Sequence, residues 1–171
     1  LPGTPPGEYH LVTAVYSEEG GLDVLTSEGM AGHYVGVGIY TVPRAVRSDT
    51  IVDLAPQVVS GRSFEDFTLL GYDMDRTAIV AGNSFYVTLY WQAKRVLPAG
   101  THLEMILRNG DEMLTSVTAP LTTRSVGWLS GEVGRGPQRV AVPVGTRPGN
   151  ATIVLQLDDL EMTLGEIEVM D

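Results

Sequence analysis

Paired acidic side chains are the residues of this chain whose type and spacing come nearest to catalytic chemistry. Two carboxylates that face one cleft about 5–10 Å apart can hydrolyse a glycosidic bond. The candidate sets are Asp73 with Asp75, Asp111 with Glu112, and Asp158 and Asp159 with Glu161. Each set stands among turn residues, where acids commonly accept local backbone hydrogen bonds. We therefore expect no catalytic residue among them and no enzymatic activity.

The first acidic set is also a candidate metal site. Asp73 and Asp75 are one residue apart, so both carboxylates can face the same way in an extended chain. Calcium binds several carboxylate and carbonyl oxygens, and a structural calcium ion is the one cofactor that this pair suggests. The sequence contains no EF-hand loop, and we predict no other cofactor.

Histidines offer little for nucleophilic catalysis, which needs an activated hydroxyl or thiol beside a base. The chain has His10, His33 and His102, and it lacks a Gly-x-Ser-x-Gly turn. His10 and His102 stand within strand patterns, and His33 stands in a glycine-rich loop. We interpret them as ordinary strand and surface side chains.

Aromatic side chains are the candidates for sugar recognition. Tyr86 and Tyr90 alternate with apolar residues along one predicted strand face, beside Gln92, and could form a flat platform for a pyranose ring. Trp128, in a predicted loop, is a second candidate platform. The alternative is structural: the tyrosine face packs beneath another element, and Trp128 closes one end of the domain.

Strands, rather than helices, must position these residues. Apolar residues alternate with period two, most clearly at Phe85, Val87, Leu89 and Trp91, and no segment has a convincing helical period. Asn109-Gly110 between two apolar runs is the strongest hairpin signal, since both residues tolerate positive φ. Short strands separated by frequent turns predict an all-β antiparallel sandwich of the jelly-roll or immunoglobulin-like type.

Composition excludes some classes of function. The net charge of -10 over 171 residues argues against nucleic-acid binding, which needs clustered Lys and Arg. The chain has no cysteine, which excludes disulfides and thiolate-ligated metals. No run of 18 apolar residues exists that would predict a transmembrane helix.

The beginning of the chain resembles its end. Pro6-Gly7 and Pro148-Gly149 each precede an alternating run, and each run is followed by a strand that starts with glycine, at Gly38 and at Gly165. We therefore interpret residues 1–42 as the closing half of a preceding sandwich repeat, 43–62 as a linker and 63–171 as a complete module. A short edge strand is predicted within the linker, at residues 50–54.

A half-module leaves unpaired edges and an uncovered apolar face, so the strands of residues 9–15 and 35–42 must pack somewhere. We expect them to dock within the chain. Exchange with a second copy, giving a strand-exchanged homo-oligomer, and loss of partner strands from a longer protein are the alternatives.

The second unit resembles a β-sandwich module of large bacterial cell-surface proteins. Such modules occur behind the membrane-embedded part of dolichol-phosphate-mannose-type glycosyltransferases. The resemblance lies in Leu69-Leu70-Gly71-Tyr72-Asp73, Ala81-Gly82, Val87-Thr88-Leu89-Tyr90-Trp91-Gln92-Ala93, Trp128-Leu129-Ser130-Gly131-Glu132-Val133, Arg147-Pro148-Gly149 and Leu164-Gly165-Glu166-Ile167-Glu168-Val169. It covers roughly residues 65–171, and it supplies no catalytic residues.

The resemblance implies a non-catalytic, extracytoplasmic accessory module of a membrane-anchored, glycosyltransferase-related protein, which acts as a spacer or interaction domain with other envelope proteins. The alternative function is a carbohydrate-binding module that uses Tyr86, Tyr90, Gln92 and Trp128 to hold a glycan. A sandwich fold hosts many functions, so the site has to decide between them.

Overall fold

The computed structural model divides the chain into two compact units. One unit is Pro6–Ala45, and the other combines Leu1–Pro5 with Val46–Asp171. The structure describes residues 4, 6–14, 16–17, 20–21, 25–26, 29–30, 34–44, 51–121, 127–157 and 160–170. The predicted strand residue Val15, the loop residue His33 and the acidic turn residues Asp158 and Asp159 lie outside these residues. No helix in the described part of the chain is both long enough and apolar enough to cross a membrane.

The first unit is built on one antiparallel hairpin. Strand β1 (Gly7–Thr13) pairs with β6 (Val35–Val42). Two short pairs lie between them in the chain: β2 (Tyr16–Ser17) with β3 (Gly20–Gly21), and β4 (Leu25–Thr26) with β5 (Gly29–Met30).

The second unit contains one short helix and nine strands in its described residues. They are α1 (Ile51–Leu54), β7 (Val58–Ser63), β8 (Phe67–Met74), β9 (Ala78–Val80), β10 (Ser84–Ala93), β11 (His102–Asn109), β12 (Glu112–Pro120), β13 (Val133–Ala141), β14 (Gly149–Leu157) and β15 (Leu160–Met170). One sheet has the order β13-β10-β8-β7, and the other has the order β12-β11-β14-β15-β9. All pairs are antiparallel except β15 with β9.

This strand order confirms the predicted all-β sandwich and matches the immunoglobulin-like alternative. β8, β10 and β13 occupy the places of strands A, B and E in one sheet, while β11, β14 and β15 occupy those of C, F and G in the other. β12 extends the second sheet. After β8 in the first sheet, the chain crosses to the second sheet, where the short β9 pairs with the last strand, β15. Where the chain passes from one sheet to the other, as from β10 to β11, the two consecutive strands lie on opposite sides of one core.

The core lies where the sequence pattern predicts it. The alternate residues Phe85, Val87, Leu89 and Trp91 of β10 are buried against apolar residues of both sheets. Leu103, Met105 and Leu107 of β11 and Ile153 and Leu155 of β14 are also buried in this cluster. The predicted hairpin joins β11 to β12, but its turn lies one residue later than the sequence indicates. The turn residues are Gly110, at φ +58°, and Asp111, while Asn109 ends β11 and pairs with Glu112.

Residues 51–62 differ from the sequence prediction. The edge strand predicted at residues 50–54 is wrong, because residues 51–54 form α1 and the edge strand is β7, which pairs with β8. All six residues of β7 are exposed, so its sequence lacks the alternation of buried and exposed residues that would have distinguished it from a linker. An edge strand needs only backbone hydrogen bonds on one side, and its side chains carry little signal of pairing.

The hairpins at the two ends of the chain have the same register. Gly7 pairs with Val42, and Leu11 pairs with Gly38. In the second unit Gly149 pairs with Val169, and Ile153 pairs with Gly165. Each ladder has a register shift directly after the second of these pairs, between Leu11 and Val12 and between Ile153 and Val154. The sequence similarity therefore corresponds to two hairpins that share their pairing and the position of their register shift.

The Trp91 ring provides a test of core packing. A Cβ on Gly136 would lie 2.9 Å from Trp91 Cη2, and one on Gly134 would lie 2.5 Å from its Nε1. We expect Gly134→Val to lower the free energy of unfolding by about 1–3 kcal/mol, because the ring has no room to retreat. Urea denaturation followed by tryptophan fluorescence measures this change. An unchanged free energy of unfolding in Gly134→Val would contradict the prediction.

Candidate functional site

The outer face of the four-stranded sheet brings together most of the residues singled out from the sequence. Tyr86, Tyr90 and Gln92 lie on the outward side of β10. Asp73 on the neighbouring β8 pairs with Thr88, in the row between the two tyrosines. Asp75 follows β8 directly, and its carboxylate accepts a hydrogen bond from the backbone N–H of Tyr86. Trp128 lies elsewhere, before β13, so it does not belong to this group.

Tyr90 is the centre of this face, and it is buried. Only 3% of the residue is exposed, although its strand pattern points it away from the core. Its hydroxyl donates a hydrogen bond to Asp73 Oδ2 at 2.5 Å. The guanidinium carbon of Arg135, the cross-strand neighbour on β13, lies 5.6 Å from the ring centroid. The ring therefore has a cation on its face and a carboxylate at its tip.

The segment before β7 covers Tyr90. Leu54, the last residue of α1, packs with Tyr90, Val133 and Leu70 in a small apolar cluster outside the sandwich core. Sequence reasoning missed this cover because it assigned residues 43–62 to a linker. The apolar run Ile51-Val52-Asp53-Leu54 was the available signal.

Two further contacts fix the covering segment to β8. The backbone N–H of Gln57 donates to Asp73 Oδ1 at 2.7 Å, and Gln57 Oε1 accepts from the N–H of Met74 at 3.1 Å. A Cβ on Gly71 would collide with the Val58 carbonyl oxygen and approach Pro56 to 2.8 Å, so the segment lies directly on the strand at a glycine. Asp73 thus links the covering segment to the Tyr90 hydroxyl.

The environment raises the pKa of Tyr90 to about 12. Burial of the phenol is the main cause, and the hydrogen bond to Asp73 and its negative charge act in the same direction. The positive charge of Arg135 opposes them only in part. Burial and the interaction with Asp73 both disfavour the phenolate form of Tyr90. At neutral pH Tyr90 is therefore a hydrogen-bond donor and not a base.

The candidate calcium ligands already have protein donors. Both oxygens of Asp73 accept hydrogen bonds, from Gln57 and Tyr90. Asp75 accepts from the Tyr86 N–H at 2.8 Å and from Arg76 at 3.0 and 3.2 Å. Burial alone would raise the pKa of Asp75, but these hydrogen bonds and the Arg76 charge hold it below the ordinary value. A calcium ion would have to displace N–H and O–H donors, so the pair does not fit an open oxygen cage.

Among the described residues, no group of three or more His, Asp or Glu side chains is placed to hold a metal ion. The other acids lie on separate elements: Asp111 in the β11–β12 turn, and Glu161 on β15, where it forms a two-point ion pair with Arg108. The hydrogen bond from Arg108 lowers the pKa of Glu161, with the Arg108 charge adding to it. Both groups are ordinary surface carboxylates in this arrangement.

Trp128 closes one end of the sandwich. It is 4% exposed, and its indole Nε1 donates to the carbonyl of Leu121 at 2.7 Å. Its backbone N–H and C=O both pair with Leu97 at 2.9 Å. Of the two alternatives for Trp128, the structure therefore matches the plug, since a buried indole presents no face for stacking on a sugar.

Gln92 and Tyr86 complete the predicted set. Gln92 Nε2 donates to the Gly131 carbonyl at 3.1 Å, which holds the loop before β13 against β10. Tyr86 is 48% exposed and is the one aromatic candidate with an accessible ring. A continuous Tyr86–Tyr90 platform is absent from this face of the described sheet, because residues 51–57 cover Tyr90.

The two histidines in the described part of the chain, His10 and His102, are peripheral. His102 is exposed, and its Nδ1 lies 3.0 Å from the Gly100 carbonyl oxygen. His10 Nε2 lies 4.0 Å from Glu8 on the exposed part of β1. Neither histidine contacts a hydroxyl nucleophile through any of these bonds.

Comparison with known proteins leaves the function open. No family model matches the chain, and no curated protein matches it. Among solved structures, the chain is similar to the C-terminal domain of Wzt, with a TM-score of 0.46 and 9% identity over 71% of this chain and 85% of that one. It is also similar to Pseudomonas fluorescens alkylpurine DNA glycosylase AlkC bound to DNA containing an abasic site analog. There the TM-score is 0.41, with 13% identity over 62% of this chain and 31% of that one.

Removal of the Tyr90 hydroxyl tests its structural role. We expect Tyr90→Phe to lower the free energy of unfolding by about 1–2 kcal/mol near neutral pH, because Asp73 loses a donor. Since the folded pKa is raised, the wild type keeps this stabilisation below about pH 10 and loses it as the pH rises towards 12. Chemical denaturation at pH 8 and pH 11 should show a smaller difference between the proteins at pH 11. The exposed Tyr86→Phe is the control; a pH-independent difference would contradict the assignment.

Proposed function

We propose that this chain is a non-catalytic accessory part of a larger, membrane-associated, glycosyltransferase-related protein. It acts outside the cytoplasm as a spacer or interaction domain. The observation that carries the proposal is the equal register of the two closing hairpins, β1–β6 and β14–β15. A hairpin that recurs with the same pairing at two places in one chain supports sandwich modules in series, and modules in series separate the parts of the protein on either side of them.

The chemistry of the outer sheet face supports a structural role. Asp73, Tyr90 and Gln92 all form hydrogen bonds within the protein. These bonds hold the covering segment or the loop before β13. A recognition site would instead present such groups towards solvent or into a cleft. The resemblance of residues 65–171 to modules behind membrane-embedded glycosyltransferases supports the location and the context.

Protease accessibility in intact cells tests the location. We expect protease added outside the cells to cleave the full-length protein at exposed loops of this module, such as residues 143–147, where Val144 is exposed. Immunoblotting with an antibody against residues 46–171 measures the loss of the full-length band. A cytoplasmic protein of the same cells serves as the control. Protection until the cells are lysed would overturn the extracytoplasmic assignment.

Carbohydrate binding is the second candidate function, and the exposed ring of Tyr86 is the observation that favours it. Its cross-strand neighbour Arg139 is also exposed and could bond sugar hydroxyls. The site is small, because the flanking Tyr90 is covered by Leu54. A single stacked ring gives weak binding compared with a platform of several.

A glycan array with the chain 1–171 separates the two functions. We expect no glycan to bind above the background of a Tyr86→Ala variant, because one exposed ring offers little buried area. Tyr86→Phe keeps the ring and is the matched control. Binding that survives in Tyr86→Phe and disappears in Tyr86→Ala would replace the spacer proposal with the carbohydrate-binding one.

A further inference from the structure

The hairpin of the first unit has an apolar face whose counterpart in the second unit is buried. The shared register aligns seven residues that lie on one side of β1–β6 with seven on one side of β14–β15. In the second unit these are Ala151, Ile153, Leu155, Met162, Leu164, Ile167 and Val169, all in the core cluster. Their counterparts are Tyr9, Leu11, Thr13, Val35, Val37, Tyr40 and Val42. We call these seven the hairpin face.

The central positions of the hairpin face are exposed. Leu11, Val37 and Tyr40 are 48%, 64% and 59% exposed. The residues at the same register positions in the second unit, Ile153, Leu164 and Ile167, are at most 8% exposed. Large apolar side chains grouped in this way on a soluble surface mark a site of contact.

The pairing and the position of the register shift, rather than polarity, assign the orientation of the first hairpin. Glu8, His10 and Thr41 occupy the other side of β1–β6, together with the exposed apolar residues Val12 and Ile39. The same register positions of β14–β15 carry Asn150, Thr152 and Glu168 on the outer side of the five-stranded sheet. The shared pairing and register shift therefore match the side of Leu11, Val37 and Tyr40 to the buried side of β14–β15.

The second unit shows what kind of surface covers such a face. The hydroxyl of Tyr72 on β8 donates to the carbonyl of Leu164, beside Gly165. A Cβ on Gly165 would lie 3.3 Å from that hydroxyl, so the glycine makes room for the tyrosine. Gly38 and Val37 hold the same register positions in the first hairpin, and a Cβ on Gly38 meets nothing within 4 Å. The space and the carbonyl acceptor for such a tyrosine exist there too.

We propose that the hairpin face binds the inner face of a sheet equivalent to β13-β10-β8-β7, supplied by a preceding module of the same polypeptide. β1 and β6 would then be the last two strands of that module, and an aromatic residue at the position of Tyr72 would lie over Gly38. This inference rests on the serial modules of the proposed function, but not on their location or on glycan binding. A second copy of this chain is a poorer occupant, because its own β14 and β15 already cover that sheet.

Thiol labelling of single-cysteine variants tests the proposal, since residues 1–171 contain no cysteine. Leu11→Cys probes the hairpin face, and Glu8→Cys is the matched control on the opposite side of β1. Each variant is made in the chain 1–171 and in the full-length protein. Iodoacetamide labelling is followed by mass spectrometry of the peptide that carries the new cysteine, so thiols elsewhere do not interfere.

We expect Leu11→Cys to label at least tenfold more slowly in the full-length protein than in the chain 1–171, with Glu8→Cys equally fast in both. Hydrogen exchange of the amides of residues 36–41 in the two unmodified proteins should slow in parallel, which covers the case that a variant fails to fold. Equal labelling and equal exchange in the two proteins would overturn the proposal. If Leu11→Cys labels slowly in the chain 1–171, and only at concentrations at which the chain dimerises, the hairpin face binds a second copy and the proposal is overturned. Neither result alters the protease or glycan outcomes, so the two proposals fail separately.

Discussion

The burial of β10 between two layers is the constraint on which the rest of the second unit depends. Its inward residues Phe85, Val87, Leu89 and Trp91 are at most 1% exposed and contact both sheets. The large Trp91 ring fits because β13 presents Gly134 and Gly136 opposite it. A strand with glycines at these positions is weak by itself, so the close contact with the indole compensates for side chains that β13 lacks.

The outer side of β10 explains why Asp73 and Tyr90 make structural contacts. A central strand of a sandwich usually has one solvated face, but here residues 51–57 cross that face and cover Tyr90. The covering segment is short and precedes the strand ladder that β7 forms with β8, so specific side-chain contacts hold it to the sheet. Asp73 supplies them by accepting from the Gln57 backbone and from the Tyr90 hydroxyl. The same groups that would recognise a ligand on an open face hold the segment in place.

The sequence predicts the features that depend on neighbouring residues in the chain. Alternation along β10 and the hairpin between β11 and β12 are local features. The alternation appears where the pattern places it, and the turn lies one residue further on, at Gly110-Asp111. The cover over Tyr90 is not local, because Leu54 is 36 residues away and nothing in the pattern of β10 reports a partner on its outer side. The edge strand β7 escaped prediction for a related reason: its side chains are all exposed, and only its backbone pairs.

The sides of the first unit's hairpin are assigned by comparison with the hairpin of the second unit. Similar glycines and prolines at two places in a sequence are weak signs, since turns use these residues everywhere. A register shift at the same step of both ladders is a stronger sign, because a β-bulge fixes which residues face which side. Once the sides are fixed, the burial of Ile153, Leu164 and Ile167 in one hairpin becomes an expectation for Leu11, Val37 and Tyr40 in the other. In the proposed arrangement, the exposed face is part of a core that a preceding module completes. The proposed partner is a sheet that offers a tyrosine above Gly38 and apolar residues beside it.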